Sequence, residues 1–257
     1  MIFMTAPSDW LILFDDGNVL NDNNVRGFKF QQVLGDYMME HYGGEKQRWI
    51  EININYIEKF MKEFFQIVDR GGVHDFNNYF RSHMINWGKS LFSGYNLAIP
   101  SNSSLLDFFH KTVEKIAPLA AAPPRGIIEV LKSLSNQGYL MCTSSGETSF
   151  ELHGYLLGMN ANQYFNTLYG PDLLNCGKFS STFYSKILTI NNRTAKYTIV
   201  IDDNPKFLQM AHEIGINTIQ SNSCLSNRAQ SEYADYKYEN STELLPIISQ
   251  ITGNSLV

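Results

Sequence analysis

Residues 10–14, Trp-Leu-Ile-Leu-Phe, form a short unbroken apolar run that stops at Asp15-Asp16-Gly17-Asn18. A run of that length ending in turn residues predicts a buried strand. The pattern then changes period. Phe28, Val33, Leu34, Tyr37 and Met38 recur at helical spacing. So do Ile50, Ile54, Ile57, Phe60, Met61, Phe64 and Phe65, then Phe76, Phe80, Met84 and Trp87, and last Leu105, Leu106, Phe109, Val113 and Ile116. Gly43-Gly44, Gly71-Gly72 and Pro100 separate these stretches. Residues 24–118 therefore predict an all-helical block of about four helices.

After Pro123-Pro124 strands and helices alternate. Helices are predicted at 125–136, 147–158, 180–190 and 205–214, and strands at 139–144, around Leu168 and Tyr169, at 197–201 and at 216–219. The tail at 241–251 reads as helix. Such alternation implies an α/β fold, a doubly wound parallel sheet of Rossmann-like type with helices on both faces. The sheet starts at residue 10, is interrupted after its first strand, and resumes near residue 123. The expected division is a core of residues 1–21 and 119–257 with a helical cap of residues 22–118. In such sheets ligands bind beyond the carboxyl ends of the strands. The insertion is thus placed to act as a lid over the turn after Asp15.

The chain has 257 residues, 44% hydrophobic and 18% charged, with a net charge of −5. That length can bury a substantial core. The acidic balance argues against a nucleic-acid partner, because phosphate backbones recruit basic faces. Cys142, Cys176 and Cys224 lie far apart with no metal-type spacing and read as reduced thiols. The opening residues show no basic stretch leading into an apolar one, and no apolar run approaches bilayer length. The expectation is a cytoplasmic protein without membrane contact, a monomer or homodimer. The six histidines show no ligand spacing; most read as surface or satisfied residues, with a cap histidine as a candidate to reach the substrate. The insertion's aromatics Phe64, Phe65, Tyr79, Phe80, Trp87 and Phe92 read as cap core, with a minority at a pocket entrance.

Four features fall at or just after predicted strand ends: Asp15-Asp16-Gly17-Asn18, Thr143-Ser144-Ser145, Lys178, and Asp202-Asp203-Asn204-Pro205. Taken singly, the first reads as a turn, the last as a helix cap, and Lys178 as a solvated lysine. Parallel strands would bring them to one rim, with several carboxylates, a hydroxyl and an ammonium together. Crowded carboxylates repel one another, and a hard cation such as Mg2+ relieves that with one or two of them as ligands. A carboxylate beside such a cation and a bound phosphate is a suitable nucleophile, with metal and lysine stabilising the transferring group.

These residues resemble the haloacid dehalogenase superfamily. FDDGNVL (14–20) looks like its first motif in the branch written FDxGNVL. Thr143 matches the second, and Lys178 in GKFSSTFYSKIL the third, with Phe179 where the family has Pro. VIDDNPKFLQMAHEIGI (200–216) resembles the fourth. The resemblance covers about 10–20 and 120–250. It implies Asp15 as nucleophile and metal ligand, the Gly17 carbonyl, Asp203 and Asp202 as further Mg2+ ligands, and Lys178 as charge balance. It also implies Thr143, Ser144, Lys178 and Asn18 as contacts to a small phosphate-ester substrate.

One departure stands out. Most family phosphatases carry a second Asp two positions after the nucleophile, which protonates the leaving group and later activates water. Here that position is Gly17. A slip of register would make Asp16 the nucleophile with Asn18 at the second position, but FDxGNVL fits Asp15 without a gap. Asp16, Asp22 or a cap residue are the candidates to stand in for the acid. Without one, turnover is expected to be slow or limited to good leaving groups. Phosphatase is the leading reading. Its alternatives are a 2-haloacid dehalogenase, which needs no metal and uses an Arg to grip the carboxylate, and a ligand-sensing protein that has lost turnover.

Overall fold

The computed structural model describes residues 6–69, 72–73, 75–225 and 228–254. Gly71, His74 and the first five residues, on which some expectations fell, lie outside the described residues. The strands are β1 (Leu11–Phe14), β2 (Leu140–Ser144), β3 (Thr167–Tyr169), β4 (Thr198–Asp202), β5 (Asn217–Ser221) and β6 (Tyr236–Tyr238). They form one sheet in the order β3-β2-β1-β4-β5-β6, and every pairing is parallel. The Leu-Ile-Leu-Phe run is central because it is apolar on both faces: Leu11, Ile12, Leu13 and Phe14 are all fully buried. In register, Phe14 lies between Thr143 and Ile201, so β1, β2 and β4 end within one residue of one another.

Among the described residues, four helices lie between β1 and the rest of the sheet: α1 (Asn23–Tyr42), α2 (Lys46–Asp69), α3 (Phe76–Gly94) and α4 (Asn102–Ala120). Their number and position agree with the hydrophobic period. α5 (Ile127–Asn136), α6 (Ser149–Gly158), α7 (Pro171–Leu174), α8 (Ser181–Ile190), α9 (Pro205–His212) and α10 (Leu244–Thr252) then cover the sheet. The sequence pattern did not indicate β6 or α7. Tyr-Lys-Tyr is too short to show a period, and α7 is a single turn started by Pro171.

The inserted helices are bound to the sheet domain through α4 and α6, whose backbones come unusually close. A side chain at Gly158 would collide with the Pro118 carbonyl oxygen, its Cβ only 1.9 Å away, and one at Gly154 would meet Ala117 at 2.6 Å. One apolar cluster consequently runs from Phe14 and Ile201 in the sheet through Ala117 and Tyr155 to Trp49 and Trp87 among the inserted helices. A second cluster, built on Leu13, Phe183 and Val200, fills the other face. Among the described residues, no helix is long and apolar enough to cross a membrane.

Candidate active site

Backbone ends and local capping decide where each charged side chain points. β1 stops at Phe14, and the amide of Asp15 still donates to the Ile201 carbonyl at 2.9 Å, which keeps Asp15 on the sheet's rim. The chain then turns tightly. The Asp16 carbonyl accepts from Leu20 and Asn21, and Asn18 takes a left-handed φ of 55°, a conformation Asn tolerates better than most residues. Across β4 the sequence Asp-Asp-Asn-Pro divides its work. Asp202 Oδ1 accepts the Asn204 amide at 2.8 Å. Asn204 caps α9 through the Lys206 amide, and Pro205 occupies the first turn of α9. Asp203 is left facing the cleft.

These placements bring the acidic groups together. One carboxylate oxygen from each of Asp15, Asp202 and Asp203 lies within 4.8 Å of the others. Lys178, 1% exposed, donates to Asp15 Oδ1 at 2.7 Å and forms an ion pair with Asp202 Oδ2 at 2.5 Å. Burial alone would push its ammonium down. The carboxylates of Asp15 and Asp202 outweigh that and hold it well above the usual lysine range. Burial pushes Asp202 up to about 7 against the pull of Lys178. Asp203 is raised as well, first by burial and then by Asp15. Oxygen-only donors crowded in this way, with protonation favoured over bare charge, suit a hard divalent cation.

Of the remaining residues singled out from sequence, Gly17 lines the cleft. Asn18 does not turn into it. Its amide donates to Asp203 Oδ2 at 3.0 Å, and its side-chain oxygen accepts the Asn23 amide, so it orients a carboxylate instead of touching a substrate. Thr143 donates its hydroxyl to the Tyr169 carbonyl at 3.2 Å. Ser144 is fully buried with an unpartnered hydroxyl. Both sit behind the cleft, and Ser145 is the strand-end hydroxyl that lines it. The strand ends at Ser144, as expected from sequence, and the hydroxyl that reaches the cleft is the next one along.

Neither acid suggested as a substitute near Gly17 is free. Asp22 caps α1 by accepting from the Asn24 and Val25 amides. Asp16 is fully buried, accepts from Asn21 at 2.6 Å and is ion-paired with Arg26. Burial pushes it up to about 6 in spite of that guanidinium. Arg26 also donates to Asn23 and to Glu147, each at 2.9 Å, and lies over the Tyr155 ring. The position two residues beyond Asp15 is occupied from outside: a Cβ at Gly17 would meet Asn23 Nδ2 at 2.6 Å. The sequence argument missed this Asn23–Arg26–Glu147 group because its members come from α1 and from the loop before α6. For Asn23 and Arg26, the available signal was their position at the start of α1, the helix that follows Asp15.

The cleft has a volume of about 540 Å3 and lies between the strand ends and α1–α3. Asp15, Lys178 and Asp203 are at one end, and Phe60, Phe64, Tyr79, Phe80 and His83 at the other. Of the six aromatics singled out in the insertion, Phe64, Phe65, Tyr79 and Phe80 line the cleft, more than the minority expected, while Trp87 and Phe92 are core as expected. Phe179, standing where a Pro was anticipated, packs between Phe207 at 5.1 Å and Phe64 at 5.6 Å.

The sequence pattern of haloacid dehalogenase-like hydrolases matches residues 12–221. No curated protein is a significant match. Among solved structures, the chain is similar to a 2-haloacid dehalogenase from Pseudomonas syringae pv. Tomato DC3000, with a TM-score of 0.65 at 13% identity over 94% of this chain and 98% of that one. It is also similar to the HAD-hydrolase YfnB from Bacillus subtilis bound to magnesium, with a TM-score of 0.60 at 14% identity over 93% and 98% of the two chains. A HAD phosphatase from Thermococcus onnurineus gives 0.60 at 16% identity over 96% and 100%. At such identities the likeness is one of fold.

Proposed function

The chain belongs to the haloacid dehalogenase-like hydrolase family, and on that premise we propose that it is a magnesium-dependent phosphomonoester hydrolase whose nucleophile is Asp15. The observation that carries this reading is the rim itself: Asp15 held by Lys178, with Asp202 and Asp203 close enough for all three to share one cation. Asp15, Asp203 and the Gly17 carbonyl would hold Mg2+, with Asp202 supporting through Lys178. The bound cation supplies positive charge against the phosphoryl oxygens. Lys178 keeps Asp15 in place, with one carboxylate oxygen engaged and the other available to attack phosphorus. Ser145, at the cleft surface, takes the phosphate-holding role assigned from sequence to Thr143 and Ser144, which shape the strand end behind it. Attack forms the aspartyl-phosphate and releases the alcohol. Water then cleaves that acyl phosphate to inorganic phosphate and restores the Asp15 carboxylate.

The dehalogenase reading has one observation in its favour, an arginine at the cleft. Arg26 is already bracketed by Asp16 and Glu147, so a substrate carboxylate arriving there meets two carboxylates as well as the guanidinium. That favours the phosphatase. The test is hydrolysis of p-nitrophenyl phosphate by the full chain with Mg2+ and with excess EDTA, beside the Asp15→Asn variant. The expected result is metal-dependent turnover that falls by several orders of magnitude in the variant. Turnover surviving in Asp15→Asn sinks the mechanism, and halide release from a 2-haloacid in EDTA replaces it with the dehalogenase.

A further inference from the structure

Building on the phosphatase reading, we infer that the cleft selects phosphate esters of uncharged aromatic alcohols, aryl phosphates above all. Two independent observations carry this. The first is the wall that would meet the substrate's body. An unbroken series of ring contacts leads away from the nucleophile. Lys178 Nζ sits 4.8 Å from the Phe207 ring, Phe207 packs on Phe179 and Phe179 on Phe64, and Phe64 packs on Phe60 and Tyr79 at 6.0 and 5.8 Å. Among the described cleft residues from α2 and α3, none carries a charge at neutral pH. The one titratable group among them near neutrality, His83, is pushed down to about 4 by burial.

Open hydrogen-bonding groups are also scarce at that end. Asn53 donates to Gln31 and accepts from Trp87 Nε1, and His83 Nδ1 is engaged by the Tyr56 hydroxyl. A polyhydroxylated body would be dehydrated there without partners for most of its hydroxyls, which is costly. A flat apolar ring would gain burial and edge or face contacts with its neighbours.

The second observation is Gly17. It offers no carboxyl to protonate the departing oxygen, the space is filled by Asn23, and the two glutamates that line the cleft are held elsewhere, Glu147 by Arg26 and Glu151 by the amide and hydroxyl of Thr148. An alkoxide is a poor leaving group without an acid, whereas a phenolic oxygen, with an ordinary pKa of about 10, leaves as the anion more readily. As Asp15 bonds to phosphorus, the phosphorus–oxygen bond to the ring breaks and the electron pair stays on the phenolate, which takes a proton from bulk water. A second water cleaves the aspartyl-phosphate to inorganic phosphate and the free Asp15 carboxylate, with release of a proton.

The experiment separates the ring site from the catalysis. Calorimetry with Mg2+ present measures binding of phenylphosphonate and methylphosphonate, which cannot be hydrolysed. Acetyl phosphate, a ring-free compound with a good leaving group, is assayed for turnover, and phenyl phosphate is compared with ethyl phosphate. Phenylphosphonate is expected to bind roughly tenfold or more tightly than methylphosphonate. Phe60→Ala should bring that ratio near one, and Phe60→Leu, which keeps bulk without a ring face, should lower it. Phenyl phosphate should be turned over and ethyl phosphate hardly at all. Equal affinities in the wild-type chain, or faster ethyl than phenyl phosphate hydrolysis, overturn the inference even where acetyl phosphate is consumed. Failure on acetyl phosphate and phenyl phosphate alike, with phenylphosphonate still bound more tightly than methylphosphonate, removes the phosphatase reading and leaves the ring-binding site standing.

Discussion

At the sheet end of the cleft charge is dense, and Asp15, Lys178, Asp202 and Asp203 restrain one another within a few ångströms. At the α2–α3 end the wall is aromatic, and its polar groups are neutral or turned to one another. The first end can act on charge because its donors and acceptors are fixed before a substrate arrives. The second holds its rings by contacts that any similar surface could satisfy. On the proposed reading, chemistry is rigidly specified, while selection rests on shape and the exclusion of water. Arg26 and Glu147 mark the boundary between the two.

The largest effect should come from breaking the charged end at that boundary. Arg26→Leu leaves the fully buried Asp16 with Asn21 as its remaining side-chain partner and leaves Glu147 unpaired. Removing one partner of a buried pair costs about 3–5 kcal/mol. Denaturant unfolding should show a lower midpoint with an unchanged slope. A midpoint equal to the wild type's would mean the network contributes nothing to holding α1 on the rim.

The aromatic end should show itself through pH. Burial pushes His83 down to about 4 from its ordinary 6.5. Below 6.5 the unfolded chain takes up a proton there that the folded chain refuses until about 4. The contribution of a neutral His83 is thus complete above 6.5, declines as pH falls, and is exhausted once pH passes about 4. His83→Gln should lose stability less steeply than the wild type between pH 7 and 4.5, as read by thermal unfolding. Parallel curves would show that His83 titrates as freely as a surface histidine.

The smallest effect is expected where the two ends join. Phe179→Leu removes ring contacts to Phe207, Phe64 and Phe65 while keeping apolar volume. The loss should be about 0.5–1.5 kcal/mol in all, because Leu keeps most of the apolar contact, with any change in Mg2+-dependent turnover smaller than that caused by altering Lys178. A collapse of turnover in Phe179→Leu would show that the Lys178 ammonium depends on the ring next to it in sequence.

The apolar run at 10–14, the four helical stretches and the alternation after Pro123 were enough to read a parallel sheet with a helical insertion, because periods of two and of 3.6 leave direct marks on a sequence. Asp15, Lys178 and Asp203 were legible for the same reason. Strand ends in a parallel sheet share a rim, and the family pattern fixes their order. Other features left no such mark. An apolar helical face looks the same whether it faces a core or a cavity, so Phe60, Phe64 and Tyr79 could not be told apart from Trp87. Which strand-end hydroxyl reaches the cleft depends on the residue at which β2 ends, and register is set by pairing with its neighbours. The Arg26–Glu147 contact joins residues 121 positions apart, and Asn23 fills the space beside Gly17 only once α1 is docked. Local periodicity and motif order are properties of the chain itself. Side-chain partners across the cleft exist only after packing has brought distant segments together.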